Sequence, residues 1–161
     1  ETYVPQFSWM RKEDFLQYDN LNLPFIVESF KSNSKVAGVY DDAVLIALEL
    51  IKAYDQSKAM SYLDSAKELF DWIEEKNGVS QEVLLINRLQ ITLRQRKLNY
   101  EENRQLYDLI KETTDDQVKC CAFLLLNLQD EAQKLLDSFD ETTLTCFKDY
   151  PVYIFHNNNQ H

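Results

Sequence analysis

Three segments that are apolar on every side alternate with three that are apolar on one side only, and that alternation restricts the chain to folds built from paired helices. The enclosed segments run from Ala43 to Tyr54, Val83 to Leu93 and Val118 to Leu128, starting 40 and then 35 residues apart, a spacing that fits two-helix repeats. Each is followed by a one-sided stripe: Ala59, Tyr62, Leu63, Ala66, Leu69, Phe70 and Ile73; then Leu106, Tyr107, Leu109 and Ile110; then Ala132, Leu135, Leu136 and Phe139. The first helix of each pair is expected to be enclosed and the second to keep a wet face. Only two glycines and three prolines occur in 161 residues, too few of the residues that turns between strands require. The expected fold class is therefore all-α: a right-handed α-solenoid of about three antiparallel helical hairpins with a C-terminal cap.

Three regions follow. Residues 1–40 form an entry segment with Tyr3, Phe7, Trp9, Phe15 and Tyr18 among polar residues, then a short helix with Pro24 at its first position and a turn at Gly38. Residues 41–140 hold the hairpins. Asp41 and Asp42 supply an N-cap and a first-turn carboxylate, and Asp55 or Ser57 caps the following helix. Asn77-Gly78 ends that helix in a left-handed cap, and Ser80 opens the next. Asn99 with Glu102 forms a capping box, Thr114 to Asp116 opens another helix, and Asn127 to Asp130 is a tight turn. Residues 141–161 comprise a short helix opened by Asp140 and Glu141, a stop at Pro151, and a polar tail. Phe147, Tyr150, Tyr153 and Phe155 are expected to close the open end of the stack, as a terminal repeat must.

The net charge of −10 repels phosphate backbones and anionic lipid, so neither direct nucleic-acid binding nor membrane association is expected. The longest mostly apolar run, near a dozen residues and broken by Glu49 and Lys52, is far short of the ~20 needed to span a bilayer. Cys120, Cys121 and Cys146 make no disulfide framework and read as reduced core residues of a cytoplasmic protein. The opening ETYVPQFSWM has neither an initiator methionine nor the pattern of a secretory signal, and is expected to belong to a piece of a longer protein.

Chemistry is hard to place. His156 and His161 fall in the polar tail, where a catalytic base would be poorly held. Cys120 and Cys121 diverge by about 100° on a helix and lack the spacing of a zinc site. The glycines stand alone at 38 and 78, so no loop cradles a phosphate. The pairs Asp41/Asp42, Glu101/Glu102 and Asp115/Asp116 fall where helices begin, which the helix dipole explains; Glu74/Glu75 is a fourth. No enzyme activity, cofactor or metal is expected.

The segment RKLNYEENRQLYDLI, with Tyr100 two residues before Glu102 and with Tyr107, resembles the linker and second helix of a tetratricopeptide repeat. LNLQDEAQKLLDSF is similar, with Ala132 small and Leu136 large, and SYLDSAKELF repeats that spacing at Ala66 and Phe70. The last 80 residues, with INRLQ and FKDYPVYIF, are also similar to helical C-terminal regions of some multidomain bacterial proteins, including defence-type proteins with a nuclease-like front domain. The tetratricopeptide resemblance implies a protein-binding scaffold in which the first helices of the hairpins line a concave face. Contact candidates there are Glu49, Lys52, Asn87, Arg88, Arg94 and Lys119, extended by the cationic end of the fourth helix at Arg96 and Lys97 with Arg104 beyond. The expected role is docking of a protein or peptide partner. The alternatives are a helical regulatory arm acting on an upstream domain of its own chain and an acidic nucleic-acid mimic.

Overall fold

The computed structural model describes residues 22–159. Every regular element among them is a helix: α1 (Leu23–Lys31), α2 (Val39–Ser57), α3 (Met60–Glu75), α4 (Gln81–Gln95), α5 (Tyr100–Glu112), α6 (Asp116–Leu125), α7 (Gln129–Ser138), α8 (Glu141–Phe147) and α9 (Pro151–Asn158). The chain divides into two compact units, Glu1–Ser80 and Gln81–His161. The aromatic entry residues Tyr3 to Tyr18, and His161, lie outside the described residues.

In the first unit α2 and α3 pack extensively on each other and α1 lies mainly on α3. Asn22 caps α1 by accepting from the Phe25 amide at 3.1 Å, and Pro24 sits in the first turn one place later than expected, behind Leu23. The helix α2 starts earlier than the Asp41/Asp42 pair suggests: Gly38, at φ +83°, is its N-cap position, and both aspartates fall in the first turn. Its inward stripe is Val39, Ala43, Ala47, Leu50 and Ile51, all fully buried, whereas Leu45 is 58% exposed. The expectation of an enclosed helix therefore fails on one side of α2. Neither Asp55 nor Ser57 caps α3; its N-cap residue is Ala59, whose amide instead donates to Ser57 Oγ at 3.1 Å.

The end of α3 is a Schellman turn: the Asn77 amide donates to the Glu74 carbonyl and the Gly78 amide to the Ile73 carbonyl. Asn77 takes the left-handed conformation at φ +51°. Gly78 is required for a different reason, because a Cβ there would run into the Tyr40 ring. That ring packs on Trp72 with centroids 4.9 Å apart.

In the second unit α6 is the central helix, packed by α4, α5, α7 and α9. Its buried face, Cys120, Cys121, Ala122, Leu124 and Leu125, meets Ile86, Leu89, Leu106, Leu109, Ala132, Leu136, Phe147 and Val152 in one core. Phe147 is fully buried, with the rings of Phe139, Tyr150 and Tyr153 at 5.7, 5.3 and 6.2 Å. The capping box of Asn99 and Glu102 forms as expected. Asp115 accepts from the Gln117 and Val118 amides, Asp140 from Thr143, and Asn127, like Asn77 and Lys58, takes a left-handed conformation.

Two expectations fail here. Pro151 does not stop a helix but opens one, α9, in place of the expected polar tail; a proline fits the first helical turn because its missing N–H has no helical acceptor there. Cys146 is exposed and is not a core residue, whereas Cys120 and Cys121 are buried as expected.

Candidate functional site

The cationic end of α4 is held by the chain itself. Arg94 Nη1 donates to the Gln90 carbonyl at 2.9 Å and Nη2 to the Pro151 carbonyl at 3.3 Å. Its guanidinium lies 4.4 Å from the centroid of the Phe155 ring, within cation–π range. Arg96 forms a bidentate pair with Glu102, both bonds 2.8 Å, and Nη1 also reaches the Lys97 carbonyl at 3.0 Å. Glu102 is thereby held below the usual carboxylate range, chiefly by the Arg96 hydrogen bond. Lys97 is exposed and Lys119 is half-buried.

The remaining sequence candidates point inward. Asn87 and Gln90 are buried in α4; Asn87 Nδ2 donates to the Val83 carbonyl at 2.9 Å, and Gln90 Nε2 donates to Asn87 Oδ1 at 2.8 Å. Arg88 is half-buried on the same helix. Lys52 is 7% exposed and pairs with Glu49 at 2.9 Å one turn back along α2. Asn87, Arg88 and Arg94 lie together on α4, and the burial of Asn87 in the second unit and of Lys52 in the first keeps these two off the wet surface.

The sequence placed α5 and its capping box but did not single out its outer face as a site. Tyr100 is 83% exposed and Tyr107 48% exposed, although Tyr107 had been expected in the buried stripe; the actual buried residues of α5 are Leu106 and Leu109. Seven residues apart, the two tyrosines lie on the same side of the helix, about 20° apart around the axis and about 10 Å along it. Arg104 stands between them. It is fixed by Glu101 through Nη2 and Nε and by Asp108 at 3.0 Å, and the Arg104 hydrogen bond draws the Glu101 carboxyl below its ordinary range. Exposed Lys111 continues the row one turn beyond Tyr107. The signal for this row was present as a period of three and four, Tyr100, Arg104, Tyr107, Lys111, hidden because tyrosine scores as apolar.

A second surface feature is a groove of about 230 Å³ lined by Leu124, Gln133, Leu136, Tyr153 and His156 among others. His156 is half-buried on α9 and not in a frayed tail. Burial pushes its pKa below the ordinary value, opposed by a hydrogen bond to the Leu124 carbonyl. Burial also raises the thiol of Cys120 to about 12 and that of Cys121 further still, so neither is a thiolate at neutral pH. Among the described residues no group of three His, Cys, Asp or Glu side chains is placed to hold a metal ion, and no helix is long and apolar enough to cross a membrane.

Comparison of the chain with protein-family models, with curated proteins and with solved structures found no match.

Proposed function

We propose that the chain is a protein-docking module and that its docking surface is the outer face of α5. The observation that carries this reading is the exposed row of Tyr100, Arg104 and Tyr107. Exposing two large aromatic side chains on one helical face leaves apolar area in water that burial against a partner would remove. Tyrosine and arginine are also the residues that supply much of the binding energy at protein interfaces. Arg104 is pre-ordered by Glu101 and Asp108, so less side-chain freedom is lost when a partner arrives. The partner is a protein segment with apolar side chains for the two rings and acceptors for the tyrosine hydroxyls and Lys111.

We infer further that the second unit is a tetratricopeptide-like stack of hairpins. The packing of α6 against both α4 and α5, and against its own successor α7, supports this, since a first helix in such a stack meets both helices of the pair before it.

Affinity capture from native lysate with the wild-type chain and with Tyr100→Ser/Tyr107→Ser tests the docking surface. A stoichiometric protein captured by the wild type and lost with the double variant, at unchanged circular dichroism, is the expected result. Equal recovery with both chains, or background alone, would remove the support for this face.

A further inference from the structure

The charges on the outer face of α5 invert their sign when the helix is read backwards. Glu101, Arg104, Asp108 and Lys111 stand along it, and none of these side chains is buried. Glu101 and Lys111 lie five residues to either side of position 106, and Arg104 and Asp108 lie two residues to either side; each couple is of opposite charge. The four charges cancel on a chain whose net charge is −10, so this strip is a place where another acidic body can approach without local repulsion.

At about 100° per residue, Arg104 and Lys111 run along the middle of the exposed face, with Tyr100 and Tyr107 on one flank and Glu101 and Asp108 on the other. A second copy turned end over end about a two-fold axis at position 106 lays each flank against the same flank of the other helix. Lys111 then comes opposite Glu101 of the second copy, Arg104 opposite its Asp108, and the two Tyr107 rings meet beside the axis. We propose that the α5 face takes a second copy of this chain, antiparallel, in a two-fold dimer. This rests on the reading of α5 as a docking surface and names its occupant. Glu101 and Asp108 already accept from Arg104 of their own chain, but a carboxylate has about four acceptor sites. Pairing therefore joins the ion pairs of both copies into one network, where exposed charges contribute more than they do singly. An interface centred on one helix of 13 residues, about 20 Å long, is of the small and reversible kind.

Sedimentation equilibrium of the full chain tests this, in about 0.15 M salt so that charges more than about 8 Å apart are screened. The mass should climb with concentration from 19.1 kDa towards twice that value. Glu101→Lys and Lys111→Glu each set like charges opposite one another in a dimer of identical copies. Each should weaken association about tenfold or more, at unchanged circular dichroism. Mixed in equal amounts, the two variants place opposite charges together at both ends, and association should return to within about threefold of wild type. A constant mass of 19.1 kDa up to about 300 μM would overturn the proposal, as would a mixture that associates no better than the separate variants. A chain that stays monomeric yet still captures another protein through Tyr100 and Tyr107 would remove the second copy as occupant and leave the docking surface standing; failure of both would remove the surface itself.

Discussion

The two units hold their helices by different means. In the first, α2 and α3 are 19 and 16 residues long and lack side-chain N-caps; their stability comes from buried stripes closing on each other around Leu50, Ile51, Leu69, Phe70 and Ile73. In the second, no helix exceeds 15 residues, and three of the shorter ones are fastened by Asn99, Asp115 and Asp140 at their N-termini. The contrast follows from helix physics. The unsatisfied groups at a helix end are a fixed cost, so they weigh most where few residues share it. The nine-residue helix α1, capped by Asn22, obeys the same logic inside the first unit, and the uncapped α7 and α9 depart from it in the second.

The largest effects should come from the two cores, where the units are alike. Phe70→Ala and Phe147→Ala each remove a fully buried ring and are expected to cost about 3–5 kcal/mol in denaturant unfolding. A loss below about 1 kcal/mol for either would mean that its ring is not core. Next is the ion pair of Glu49 and Lys52, with side chains 18% and 8% exposed. Lys52→Ala alone should destabilise by about 3 kcal/mol, whereas Glu49→Leu/Lys52→Met together should fall within about 1 kcal/mol of wild type. A double variant as unstable as the single one would show that the pair holds more than itself.

The contrast in caps gives smaller effects. Asn99→Ala should cost about 1 kcal/mol and selectively speed amide exchange at the start of α5; unchanged exchange there would break the comparison. Acid should also divide the units. Arg96 lowers the pKa of Glu102, and backbone bonding at Thr143 lowers that of Asp140. Their stabilisation is thus present above the ordinary carboxylate values of 4.5 and 3.8 and lost as pH falls through the lower folded values. Asp42 in the first unit runs the other way: burial and then Asp41 raise it above 3.8, so its contribution favours folding at low pH and is lost as pH rises through the folded value. Exchange measured between pH 5 and 2.5 should therefore show α5 and α8 loosening before α2, and the reverse order would contradict the assignment.

His156 adds the smallest effect. Its pKa lies below 6.5 in the folded chain, so the unfolded state binds the proton more readily and the packing of α9 weakens as pH falls from about 6.5 through the lower folded value. The charged groups around it are Asp130 of α7, which lines the same groove, and Arg94 of α4 at the neighbouring Phe155; α6 offers the Leu124 carbonyl. His156→Gln should flatten this step in α9 exchange, and an unaltered step would assign it to another group.

Several local signals were readable where the responsible atoms are close in sequence, although the caps expected from Asp41 and from Asp55 or Ser57 did not form. The capping box at Asn99, the turns at Asn77 and Asn127, and the caps of Asp115 and Asp140 each involve residues within a few positions of one another. Pro151 was ambiguous because proline ends one helix and begins another with equal ease, and only the burial of Val152 and the clamp from Arg94, 57 residues away, decide between them. Arg94 was read as a partner contact because helical phase shows which way a side chain leaves its helix and not what meets it. Tyr100 and Tyr107 were misplaced for a related reason: a ring with a hydroxyl tip fits a stripe and an interface equally well.

The docking surface proposed on the outer face of α5 is open to direct chemical trapping. Site-specific photo-crosslinking in native lysate tests it most directly, with a photoreactive phenylalanine placed at Tyr107 and, as a control, at exposed Lys67 on α3. A discrete higher-mass adduct formed from position 107 and absent from position 67 is the predicted result; the same adducts from both positions, or none from 107, would contradict it.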